Sequence, residues 1–169
     1  IVAKFGKPSE NTKPSTLALS LLDQPHQLIT NLNENLAYTL EFYILNQKLK
    51  KQKQGFFAAS DKHFEHVIFN DNAGPIVIED RVKIEPFSYL MGPLYIGAGT
   101  QIKSHTRLSH SSFGPECRLA GEISNSIFDG FSNKAHHGYV GHSYIGQWVN
   151  LGAGTSNSNL KNTYGQIQL

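Results

Sequence analysis

The sequence predicts an all-β fold, a left-handed parallel β-helix of hexapeptide repeats preceded by a short helical segment, and three observations carry that prediction. Ile78, Ile84, Leu90, Ile96, Ile102 and Leu108 stand six residues apart without a break. The residue four past each is often small or branched, as at Val82, Ser88, Thr100, Thr106 and Ser112. Gly97, Gly146 and Gly152 directly follow the apolar residue of their units. Six residues advance an α-helix by about 240° net, so on a helix these aliphatics would scatter around the axis. A short flat strand followed by a tight corner returns each of them to one interior. Three such units close a triangular coil, and coils stack about 4.8 Å apart through parallel-strand hydrogen bonds. The small residue fits the narrow interior, and glycine permits corner conformations that other residues resist. A β-sandwich would need period-two alternation with turns about every 8–12 residues; here the punctuation comes too often.

The elements follow in chain order. Ile1 to about Ser15 mixes Gly6, Pro8, Pro14 and polar residues and reads as an extended lead-in. From Asn31, Leu36, Leu40, Tyr43 and Ile44 fall on one face at helical spacing, which predicts one amphipathic helix through about Lys51. Asn31 with Glu34 resembles a capping arrangement, and Gly55 closes the segment. Lys48, Lys50, Lys51 and Lys53 read as lysines complementing the carbonyl end of that helix. Residues 1–60 are thus linker-like and 61–169 form the β-helix domain, with about five coils over 76–169. After Phe113 and Leu119 the phase slips by two, and it resumes at Ile127, Asn133, Tyr139, Ile145, Leu151 and Asn157. A small loop bulging from the prism is expected between Leu119 and Ile127.

Composition narrows the function classes. At 169 residues the chain can bury a real core without staples, and its single cysteine, Cys117, excludes an internal disulfide framework. A formal charge of +2 argues against nucleic acid as a partner. No apolar stretch approaches the roughly 20 residues that span a bilayer, and no charged n-region with an h-region opens the chain. No membrane partner and a cytoplasmic location are therefore expected. The chain opens on Ile1 and has one methionine, Met91, which fits a piece of a longer protein.

A family resemblance sharpens towards the C-terminus. The run Ser132-Asn133-Lys134-Ala135-His136-His137-Gly138-Tyr139-Val140-Gly141, followed by Ile145-Gly146-Gln147-Trp148-Val149-Asn150-Leu151-Gly152-Ala153-Gly154-Thr155, resembles one C-terminal domain. It is that of the bifunctional N-acetylglucosamine-1-phosphate uridyltransferase and glucosamine-1-phosphate N-acetyltransferase family. The continuation Asn157-Ser158-Asn159-Leu160-Lys161-Asn162-Thr163-Tyr164 is similar to its alternative bacterial and archaeal branch, with Leu160 where a typical bacterial enzyme has tyrosine. Leu21-Leu22-Asp23 and the helix after it resemble the linker that joins the two domains of such enzymes. The glycine-rich, arginine-bearing loop of a nucleotidyltransferase is missing from residues 1–60, so uridyl transfer is not assigned to this chain.

The resemblance implies N-acetyl transfer from acetyl-CoA to an amino sugar 1-phosphate, glucosamine 1-phosphate, at sites between subunits of a homotrimer. No metal is needed for that chemistry. Such a reaction requires a base for the amine proton, donors for the tetrahedral oxyanion, and groups to hold the sugar phosphate. His136 aligns with the family's catalytic histidine when Tyr139-Val140-Gly141 is the anchor, and histidine is the side chain most often used as a general base. His137 is the rival, since adjacent strand residues point to opposite faces. Tyr139, Asn150 and Asn159 match positions that bind the sugar or place the acyl group. Asn150 and Asn159 equally suit corners, and Tyr139 occupies the repeat's inward position. Lys103 stands where the family has an arginine on the sugar phosphate, and Lys134 could substitute or assist. The resemblance assigns Gly152, Ala153 and Thr155 to acetyl-CoA. At a second substrate lysine of the typical family this chain has Glu122-Ile123-Ser124.

Two other readings stay open. One is a non-catalytic β-helix that trimerises and regulates a sugar-1-phosphate nucleotidyltransferase. It is favoured by the missing lysine, by Leu160, and by an end at Leu169 before the coils that usually hold the CoA arm. The other is a zinc site of the γ-class carbonic anhydrase kind at His110, His137 and His142, although the order His137-Gly138…Gly141-His142 reverses that family's motif.

Overall fold

The computed structural model describes residues 24–157 and Gly165. Helix α1 (Gln27–Thr30) leads into α2 (Leu32–Gln47), a short antiparallel strand pair follows, and from Ile68 the chain through residue 157 is a left-handed parallel β-helix of stacked triangular coils. Among the described residues no helix is long and apolar enough to cross a membrane. The lead-in expected from Ile1 to about Ser15 and the linker-like run Leu21-Leu22-Asp23 lie outside the described residues.

Each coil contributes a short strand to each of three faces. The first face stacks Ile76–Ile78, the end of Tyr89–Ile96, the end of Arg107–Phe113, Ile127–Phe128 and Tyr144–Ile145. The second stacks Lys83–Ile84, Gln101–Ile102, Arg118–Leu119 and Asn133–Lys134, and Asn150 continues it through a bridge to Asn133. The third stacks Ile68–Asn70, the starts of Tyr89–Ile96 and Arg107–Phe113, then Glu122–Ser124 and Tyr139–Gly141. All these pairings are parallel. The coil length, however, is not constant. On the second face it is 18 residues from Lys83 to Gln101, 17 from Gln101 to Arg118, 15 from Arg118 to Asn133, and 17 from Asn133 to Asn150.

The short coil corrects the expected register. No loop bulges between Leu119 and Ile127; Glu122–Ser124 is instead a strand in register with Arg107–Ser109. Two residues, Ala120 and Gly121, turn the corner that 85–88 and 103–106 turn with four, and Gly121 does so at φ +78°. The inward column therefore resumes one residue later than the aliphatic spacing suggests. Phe128, Lys134 and Val140 point into the prism, and Ile127, Asn133 and Tyr139 point out. A separate one-residue shortening, between Ser109 and Ser111 relative to Met91 and Leu94, makes Ser111, not Ser112, the small interior residue of its unit.

The interior is one continuous apolar column set. Ile78, Ile96, Phe113 and Phe128 line it from the first face, Ile102 and Leu119 from the second, and Leu90, Leu108, Ile123 and Val140 from the third. Phe113 and Phe128 meet with ring centroids 5.3 Å apart. Small polar residues fill the narrow vertices, and each needs a partner there because an unpaired buried hydroxyl is costly. Ser111 Oγ donates to the Ser109 carbonyl at 2.7 Å, Ser126 Oγ to that of Ser124 at 2.8 Å, and Ser132 Oγ to that of Gly146 at 2.7 Å. Cys117 is buried in this interior, and burial pushes its thiol above the usual cysteine value.

Helix α2 covers the first face. Leu32, Leu36 and Leu40 bury against Val77, and Tyr43, Ile44, Tyr95 and Ile127 pack around them. Tyr43 donates its hydroxyl to Glu79 Oε1 at 2.6 Å, and that hydrogen bond holds the phenol protonated well above its ordinary range. The opposite side of the helix is less polar than an amphipathic helix requires, since Tyr38, Phe42 and Leu45 are exposed. Asn31 makes no side-chain cap; it joins the two helices, and its own N–H donates to the Gln27 carbonyl at 3.1 Å. The lysines also sit differently from expectation. Lys48 ends α2 in the left-handed conformation at φ 52°, Lys50–Lys51 form a strand antiparallel to Phe57–Ala58, and Lys51 pairs with Asp71 at 2.6 Å. Phe57 in turn pairs in parallel with Val77, so sheet pairing crosses the boundary expected at residue 60.

Truncating Phe113 to alanine removes a fully buried ring that touches Phe128. We expect Phe113→Ala to cost about 3–5 kcal/mol of unfolding free energy. A urea midpoint unchanged from wild type would contradict this packing.

Candidate functional site

Lys103, His136, His137, Gly152 and Ala153 lie along the corner between the second and third faces, with Tyr139 and Asn150 on the strands beside it. Down that corner, coil by coil, run Glu85–Phe87, Lys103–His105, Ala120–Gly121, Ala135–Gly138 and Gly152–Gly154. His136 and His137 both lie on the corner itself rather than on a strand, and both are exposed. Strand alternation therefore does not separate them, contrary to the expectation that only one could face a site. His137 accepts the Gly154 N–H at its carbonyl at 3.1 Å, and its Nε2 lies 3.5 Å from where a Cβ on Gly154 would stand. Its ring thus leans along the corner on the next coil. His136 has no side-chain hydrogen bond among the described residues, while its carbonyl accepts Lys134 Nζ at 2.9 Å.

Lys134 is corrected most sharply. The register shift turns it inward, where it is 1% exposed and its ammonium donates to the carbonyls of Ala120 and His136 at 3.1 and 2.9 Å. It is not offered to a phosphate. Burial pushes its ammonium below the usual lysine value. Lys103 remains half-exposed but forms an ion pair with Glu85 at 2.9 Å. Glu85 also accepts the Ser104 N–H at 2.9 Å; the lysine ammonium first, and that amide second, hold its carboxyl below the ordinary glutamate value.

Tyr139 gains what Lys134 loses. It faces out of the third face rather than into the prism, and its hydroxyl lies 2.9 Å from Ser124 Oγ, directly over Gly141. A Cβ on Gly141 would collide with that hydroxyl, so the glycine makes room for the ring. Asn150 is exposed on the second face and accepts Asn133 Nδ2 at 2.7 Å through its Oδ1. Asn133 was not singled out by spacing because its column was read as inward; its own Oδ1 is buried without a hydrogen-bond partner. Ser124 and Glu85 were likewise missed, since only the coil register reveals them as neighbours of Tyr139 and Lys103.

The coil after the histidines carries Gly152, Ala153 and Thr155. Gly152 and Ala153 are exposed, a Cβ on Gly152 would meet open space, and Thr155 N–H turns back to the Gly152 carbonyl at 3.2 Å. Ser156 Oγ accepts the Tyr139 N–H at 3.0 Å and ties this turn to the third face. Asn159 lies outside the described residues. A separate open cleft of about 660 Å³ lies between α2 and residues 71–75, beside the Lys51–Asp71 pair and away from the histidines.

The zinc constellation is not assembled within one chain. His110 and His142 stand on the corner between the third and first faces with Asn125 between them, whereas His137 is on another corner. Among the described residues no three His, Cys, Asp or Glu side chains converge.

No family model matches the chain. A stretch of 87 residues, 50% of this chain, is 30% identical to the bifunctional protein GlmU of Paracoccus denitrificans. The chain covers only 19% of that protein's length, so the likeness is to a part of it.

Partial burial lowers the His110 imidazole below its ordinary value. In the window between that lowered value and about 6.5, the unfolded chain therefore binds more protons than the folded one, and stability rises with pH across it. His110 sits at φ 49°, which asparagine tolerates. His110→Asn should flatten the rise in urea midpoint between about pH 5 and 7; an equally steep rise in the variant would contradict the assignment.

Proposed function

We propose that this β-helix is an acyltransferase-type domain that moves an acetyl group from acetyl-CoA to the amine of an amino sugar 1-phosphate, glucosamine 1-phosphate. One observation carries the reading. The corner of Ala135–Gly138 exposes two imidazoles between an outward tyrosine and a pair of outward asparagines, with an open glycine turn on the next coil. The distant likeness to part of a bifunctional GlmU supports the same direction.

In this proposal His136 takes a proton from the sugar ammonium, and the freed lone pair attacks the thioester carbon. The tetrahedral oxyanion then collapses, the C–S bond breaks, the proton held by the imidazole passes to the leaving thiolate, and the second proton on nitrogen is released to solvent, leaving a neutral amide and the CoA thiol. Amide and hydroxyl donors at Asn150, Asn133 and Tyr139 would orient the sugar hydroxyls and the acyl oxygen. The pantetheine arm would run past the exposed Gly152 and Ala153. A homotrimer would bring a second subunit to this bare corner.

A second reading has its own observation. Neither predicted lysine offers a free charge, because Lys103 is paired with Glu85 and Lys134 is buried. A β-helix that only trimerises and regulates a sugar-1-phosphate nucleotidyltransferase would tolerate that loss.

The two readings part in one assay. On the first, purified protein releases CoA thiol only when acetyl-CoA and glucosamine 1-phosphate are both present. His136→Ala then loses about 10²–10⁴-fold in rate, and His137→Ala loses far less. Full activity in His136→Ala would remove His136 as the base. Absence of turnover, together with no thermal stabilisation at saturating acetyl-CoA, would favour the regulatory reading.

A further inference from the structure

The interior vertex beneath the histidine corner is braced in an unusual way. In the earlier coils, hydroxyls hold the carbonyls of this corner. Ser88 Oγ donates to Glu85 and Lys103 carbonyls at 3.0 and 3.1 Å, and Thr106 Oγ1 donates to the Lys103 carbonyl at 2.6 Å. The coil register places Gly121 and Gly138 next in that hydroxyl column. Both glycines have positive φ, +78° and +119°, and a Cβ on Gly121 would stand 2.6 Å from the Gly138 carbonyl oxygen. Backbone shape therefore removes the hydroxyl just where the histidines follow.

Lys134 fills that role. Its column on the second face is otherwise aliphatic, with Ile84, Ile102, Leu119 and Leu151 at the equivalent positions. Its ammonium reaches the Ala120 carbonyl, the register equivalent of the Lys103 carbonyl, and also the His136 carbonyl. A Cβ on Gly121 would lie 3.2 Å from Lys134 Nζ, so the ammonium occupies the space a side chain at 121 would use. A buried charge persists only when hydrogen-bonded, which makes the two carbonyls a requirement for Lys134 as much as a result of it.

We infer that Lys134 is a positioning residue: from inside the prism it replaces the missing hydroxyl ladder and fixes the corner that presents His136. Only the catalytic arm of this inference rests on the acyl-transfer reading. The structural arm stands without it.

The test uses Lys134→Met, which keeps an unbranched apolar side chain of similar length, and Lys134→Gln, which keeps an amide donor. In the Met variant, amide hydrogen exchange at residues 135–139 should rise about tenfold or more while the coils around Ile96 and Leu108 keep their protection. Lys134→Gln should restore part of that protection. If acetyl transfer is present, kcat should fall about 10–100-fold with little change in the KM for either substrate, and Gln should recover part of it. Wild-type protein gives an arm that needs no variant: the Lys134 ammonium should show a slowly exchanging proton signal. Unchanged exchange at 135–139 in Lys134→Met, or a rapidly exchanging ammonium in wild type, would overturn the inference. A chain without acetyl transfer that still loosens at 135–139 would overturn the acyltransferase proposal and leave the brace standing.

Discussion

The parallel backbone ladder between successive coils is the constraint on which everything else in this molecule depends. Each strand is only two or three residues long on most faces, too short to hold a side chain in place alone. Stacked in register, those strands turn alternate residues into the prism and leave the ones between them facing out. A one-residue change of phase then exchanges inside for outside, as strand register always does. The 15-residue coil from Arg118 to Asn133 makes such a change. It sends Lys134 into the core and brings Asn133 and Tyr139 to the surface.

The corners translate that ladder into a surface. Left-handed residues recur there, and many are not glycine: Arg81, Glu116 and Trp148 on one corner, Phe87 and His105 on another, His110, Asn125 and His142 on the third. Each such residue carries its side chain outward, so corners become vertical rows. Phe131 and Trp148 stack at 4.9 Å, and His66, Phe87 and His105 form a continuous ring stack. Where the backbones approach most closely, glycine takes over, as at Gly121 and Gly138. The candidate histidines lie at that change from side-chain rows to glycine. Helix α2 masks the first face, so the more polar second and third faces and the corner they share are what the described chain presents.

The candidate site was partly legible before the coils were stacked. His136, Tyr139, Asn150 and Gly152 were all found through local motif, and all lie on or beside one corner. Lys134 was read as able to substitute for or assist Lys103 because it lies close by in the motif, and nearness in sequence does not tell which way a side chain points. Glu85 carried no local signal, and Ser124 and Asn133 stood in motif runs without a role of their own. Their relation to the site arises from partners 15 to 18 residues away, through the coil repeat.

By itself, the sequence determined the fold class, the helix that precedes it and the neighbourhood of the histidines, because six-residue spacing and small vertex residues are local properties of a chain that must close triangles. Only the tertiary structure decided the phase of the later coils, the burial of Lys134, the pairing of Lys103 with Glu85, and the outward turn of Tyr139. Corner length sets phase, and a corner shortened to Ala120-Gly121 is stabilised by contacts with the coils above and below it, which no local spacing records.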